Sequence, residues 1–103
     1  MNKYTELSDF EINKKVAEKL GAEWFVTTTV WDELAVMVGS KCFKPCNNPA
    51  DAMPIIIENE ISMIKISGGW MCCHGSVGQV EHESLYRGAM ELFLIMKDTE
   101  NED

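Results

Sequence analysis

At 103 residues, 46% hydrophobic and 25% charged, the chain has the length and composition of one globular domain with one core. Its formal net charge of −8 argues against a surface that gathers nucleic-acid phosphates, because counterion-release binding needs clustered Lys and Arg. Acidity speaks to association rather than to fold.

The opening MNKYTELSDF holds no apolar run of signal-peptide length, and no stretch approaches the roughly 20 apolar residues of a membrane span. The expectation is a cytoplasmic protein whose four cysteines remain thiols. Residues 7–21 predict the first helix. Ser8 is the cap, Glu11 three places on closes a capping box, and Leu7 with Ile12 forms the hydrophobic staple. Ile12, Val16, Ala17 and Leu20 make the buried stripe, while Glu11, Lys14, Lys15, Glu18 and Lys19 face water. Gly21 ends the helix, with Lys19 in the last turn, where the dipole favours a cation.

Residues 24–31 (WFVTTTVW) are almost all aromatic or β-branched and predict a strand. Asp32-Glu33 reads as a turn, residues 34–38 as a shorter antiparallel strand, and Gly39-Ser40 as its end. Cys42 and Phe43 begin a third extended piece that Pro45 stops.

Residues 46–66 (CNNPADAMPIIIENEISMIKI) read as turn, helix and strand. Asn48 can cap a helix that Pro49 starts, but Pro54 then lies deep enough to lose a backbone bond and crowd the preceding turn. A start capped by Asp51, with Pro54 in the first turn and Pro49 in a lead-in turn, avoids that cost and is preferred. Met53, Ile56 and Ile57 share a face, Asn59 is a left-handed stop, and residues 61–66 extend. Gly68-Gly69 is a type I′ hairpin signal, with residues 70–74 as the returning strand. Residues 75–78 are loop, and residues 79–83 are either a short polar edge strand or more loop.

Ser84 caps the last helix, residues 85–97. Leu85, Ala89, Leu92, Phe93 and Met96 form its main face, and Met90, Leu94 and Ile95 widen it beyond an ordinary stripe. A helix that apolar is either central to the core or covered by a second subunit. Trp70, Met90 and Leu94 are therefore candidate interface residues, and Trp24 and Phe25 add large core or interface surface. The order α-β-β-(β)-α-β-β-α predicts an α+β fold of three helices and a mainly antiparallel sheet of four to five short strands. Residues 1–97 make one domain, and residues 98–103 an acidic, disordered tail.

Cys42, Cys46, Cys72, Cys73 and His74, with His82 beyond, supply enough ligands for zinc, but the spacing is poor. Neighbours Cys72 and Cys73 on a strand point to opposite faces, and buried free cysteine is commonplace. A catalytic thiol needs a depressed pKa and an oriented base, and Cys73 and His74 diverge for the same reason. The glycines punctuate turns rather than cradle phosphate, and the carboxylates pair nowhere as acid and base. No catalytic residue, metal or cofactor is assigned. Arg87, early in the apolar last helix, either ties to Asp51 and Asn47 at the start of the middle helix or lies solvated at its edge.

FKPCNNPADAMPIIIENEIS, a short hairpin, SLYRGAMELFLIMK and the opening LSDFEINKKVAEKLG together resemble the NinX-like family of small proteins from lambdoid phages and prophages. The likeness covers about two-thirds of the chain, leaves residues 22–41 aside, and departs at Gly88, where the family pattern reads Ala. Cys46, Asn47, Asp51, Pro54 and Arg87 match the motif and read as architectural. The resemblance implies a phage protein made inside a bacterium, and implies no reaction. The leading expectation is a non-enzymatic interaction module, homodimeric, that binds a host or phage protein. The alternatives are a cysteine-based zinc or thiol protein and an acidic DNA mimic.

Overall fold

A computed structural model describes residues 2–100. The elements run α1 (Asp9–Lys19), β1 (Trp24–Thr28), β2 (Leu34–Val38), β3 (Lys41–Cys42), α2 (Pro49–Glu58), β4 (Ser62–Ile66), β5 (Gly69–His74), β6 (Gly78–His82) and α3 (Leu85–Glu100). The fold is α+β. In place of one sheet of four to five strands, six strands among the described residues form two antiparallel sheets, ordered β1-β2-β3 and β4-β5-β6. Residues 79–83 do supply a strand, because β6 starts at Gly78 and pairs with β5.

The centre is α3. Met90, Leu92, Phe93 and Leu94 are all but inaccessible, and the helix packs against β5 and β6 on one side and α1 and α2 on others. Its broad apolar face is thus satisfied within one chain, so Met90 and Leu94 are core and not interface residues. The helix also outruns its expected end. Asp98, Thr99 and Glu100, assigned to the acidic tail, are helical, and the remaining tail positions 101–103 lie outside the described residues. Asp98 is fastened by the Tyr4 hydroxyl and by Lys3 Nζ at 3.1 Å. No helix among the described residues is long and apolar enough to cross a membrane.

Ser8 caps α1 as its sequence dictates, its Oγ accepting from Glu11 N at 3.1 Å, and Gly21 follows with φ of 72°. Leu20, expected in the stripe, is 43% exposed, and Asn13 takes a buried place instead. In α2 the preferred start is wrong. Asn48 is the cap, its Oδ1 accepting from Ala50 N at 3.0 Å, and Pro49 is the first helical residue. Pro54 is tolerated inside because it and Ala50, whose carbonyl it leaves unbonded, both face solvent. The buried face is Ala52, Ile55 and Ile56, while Ile57 points outward. Glu60, not Asn59, takes the left-handed conformation, with φ of 56°. Asn59 Nδ2 instead donates back to the Ile55 carbonyl at 2.8 Å.

The β4–β5 turn is also shifted by one residue. Ile66 pairs with Gly69, so Ser67-Gly68 forms the loop and Gly69 belongs to the strand. A Cβ on Gly69 would stand 2.5 Å from the His82 carbonyl oxygen, which is what requires glycine there.

The sheet β1-β2-β3 stands apart. The core cluster draws on the N-terminal turn, all three helices, β5, β6 and the loops at Cys46 and Ile61, and contains no residue of β1, β2 or β3. Ala35 and Val36 are buried where β2 leans on α1, and β1 is largely exposed along its length.

Candidate functional site

Two constellations stand out, one buried and one exposed. The buried one is built on Arg87. Its Nε donates to Glu91 Oε2 at 2.6 Å, Nη1 to Asp9 Oδ1 at 2.7 Å, and Nη2 to the carbonyls of Tyr4 and Leu7 at 2.9 and 2.8 Å. The α-helical i,i+4 spacing delivers Glu91, and the N-terminal turns of residues 2–7 wrap their carbonyls round the guanidinium. Burial pulls the Arg87 pKa down, but its bonds to Asp9 and Glu91 outweigh that and hold it above its ordinary value. Glu91 Oε1 also accepts from Asn2 Nδ2 at 3.1 Å, and no buried side-chain polar atom among the described residues lacks a partner.

The expected tie from Arg87 to Asp51 is therefore corrected to one between α3 and the start of α1. Asp51 Oδ2 accepts from Lys44 N and Asn48 Nδ2 instead. Asn47 reaches the same Asp9 carboxylate as Arg87, at 3.2 Å, and Asn13 Oδ1 accepts from Cys46 N at 3.0 Å. Cys46, Asn47 and Arg87 thus converge on α1. Asn13 and Tyr4 were missed by pattern reading: a lone Asn in an amphipathic helix and a Tyr before the first cap carry no local signal of burial.

The cysteines do not converge. Cys42 is exposed on β3, Cys46 is buried against α1, and Cys72, Cys73 and His74 follow one another on β5. Burial, with the nearby Asp9 carboxylate, pushes the Cys46 thiol up to about 12, and burial raises Cys72 to about 11. His74 Nδ1 lies 2.8 Å from Ser76 Oγ, in its own turn. No group of three or more Cys, His, Asp or Glu among the described residues is placed to hold a metal.

The exposed constellation is the β1–β2 hairpin. The expected strand of residues 24–31 stops at Thr28, because Thr29 turns the chain: its Oγ1 accepts from Trp31 N at 3.2 Å and Glu33 N at 3.3 Å. Asp32 completes the turn in the left-handed region, with φ of 62°. Val30 and Trp31 are left at the tip, 93% and 79% exposed, with Phe25 and Leu34 more than half exposed below them. Trp70, the remaining candidate interface residue, is half-buried on β5 with Lys65 Nζ 5.4 Å from its ring.

The family model for NinX of bacteriophage P22 matches residues 3–97, from the turns that hold Arg87 through the body of α3. The chain belongs to the NinX phage family. No curated protein and no solved structure matches it. The NinX match takes in the hairpin and, apart from Asn2, the whole Arg87 cluster.

Proposed function

We propose that this NinX-family chain is a small non-enzymatic interaction module that engages a host or phage protein in the cytoplasm of an infected bacterium. The observation that carries the reading is the β1–β2 hairpin, which sits outside the core and presents Val30 and Trp31 at its tip. Aromatic side chains bring large contact area at small entropic cost, which is why they dominate binding hot spots. The competing thiol and zinc readings find less support: burial raises the Cys46 and Cys72 thiols, and among the described residues no three Cys, His, Asp or Glu side chains are grouped to hold a metal.

Photo-crosslinking in infected cells tests the proposal. A photoreactive residue in place of Trp31 is expected to give a discrete adduct with one protein. The same residue at Ile57, an apolar position on α2 that is also well exposed, is expected to give none. Adducts of the same pattern at both positions, or none at Trp31, would overturn it.

A further inference from the structure

Strand β1 is an open sheet edge, and its register fixes which groups it offers. Thr29 N donates to the Glu33 carbonyl at 2.8 Å, and β1 pairs with β2 through Thr27 to Ala35 and Phe25 to Met37. Backbone groups alternate along an antiparallel strand, so the N–H and C=O of Trp24, Val26 and Thr28 point away from β2. Sheet edges in stable monomers carry charges, prolines or bulges that block pairing with another chain. The other three edges here do: β3 has Lys41, β4 has Lys65 and β6 has Glu81. Strand β1, reading WFVTT, has no charge, proline or glycine.

We infer that β1 pairs antiparallel with β1 of a second copy, about a twofold axis at Val26, to make one continuous six-stranded sheet. The sequence is self-complementary in that register. Val26 meets its own counterpart, Trp24 meets Thr28, and Phe25 meets Thr27, so every outward N–H finds a carbonyl. Beyond the strand, Glu23 faces Thr29, and no like charges oppose each other. That matters in a chain of net charge −8, where most other approaches of two copies bring carboxylates together. A mixed partner would meet the same edge without this symmetry.

Phe25 and Val26, 53% and 40% exposed, lie on the edge strand itself and gain neighbours across the pairing in this register, while Val30 and Trp31 at the tip stay outside it. The inference rests on the hairpin as the association element, and it names the edge as the self-association half of it.

Native mass spectrometry and sedimentation equilibrium of the untagged chain test it with three proteins. Wild type is expected at twice the mass of one chain. Val26→Lys is expected at half that mass, and Ile57→Lys, a charge placed on an exposed apolar residue away from the edge, at the wild-type mass. Amide hydrogen exchange of wild type gives a readout free of folding defects. The Trp24, Val26 and Thr28 amides are expected to slow as concentration rises, while Phe25 and Thr27 do not change. A monomeric wild type, a dimeric Val26→Lys, or exchange without that alternation would overturn the inference. A monomer that still gives the Trp31 adduct overturns the edge pairing alone, and a dimer without the adduct overturns only the partner reading.

Discussion

Arg87 shows what a buried charge demands of its surroundings. With Glu91 1% exposed, the pair is worth less as a source of stability than as a commitment, because removing Arg87 strands Glu91 in a dry site with Asn2 alone to bond it. Arg87→Ala is expected to lower unfolding stability by about 3–5 kcal/mol, read as a drop in urea midpoint with unchanged slope. Asp9→Ala should cost far less, since that carboxylate is 45% exposed. A small effect of Arg87→Ala would mean that water or another group relieves Glu91. Cys46 sets a pH dependence of definite sign. A thiol whose folded pKa is raised adds stability that is complete below its unfolded value of about 8.5 and fades as pH climbs toward about 12. Urea midpoints measured between pH 8 and 11 should therefore fall more steeply for wild type than for Cys46→Ala, and equal slopes would contradict the assignment.

At the scale of elements, legibility follows how local the deciding interaction is. The first helix could be read because its cap, stripe and terminal glycine all lie within the helix and its flanks. The middle helix was misread at Pro54, whose cost depends on whether its neighbour's carbonyl reaches water, a fact of tertiary position. Two glycines in a row marked the β4–β5 turn but not its register, because Gly69 is required by the approach of β6 rather than by a left-handed turn. Gly69→Ala is accordingly expected to destabilise by about 2 kcal/mol, while Gly75→Ala, with nothing within 4 Å of the added carbon, serves as a control. Equal midpoints for the two variants in thermal unfolding would show that β6 can move aside.

For the whole molecule, the order of elements pointed to α+β, and the breadth of the last helix's apolar face to a place either in the core or under a second subunit, of which its burial within one chain selects the first. Two separate sheets were not legible, since nothing in a strand's own residues says which neighbour it joins. The Arg87 cluster was half legible: the need for a partner could be argued, but its identity depends on a fold-back across some 80 positions, from Arg87 to Tyr4, Leu7 and Asp9. That fold-back has a kinetic consequence. The core closes only when α3 meets the N-terminal turns, whereas the β1–β2 hairpin forms from neighbours in sequence. An incompletely closed chain therefore already displays its uncharged strand edge. Edges that pair before closure do so with the apolar face of α3 still open, so refolding yield becomes a race that dilution wins for the native fold and crowding wins for the aggregate.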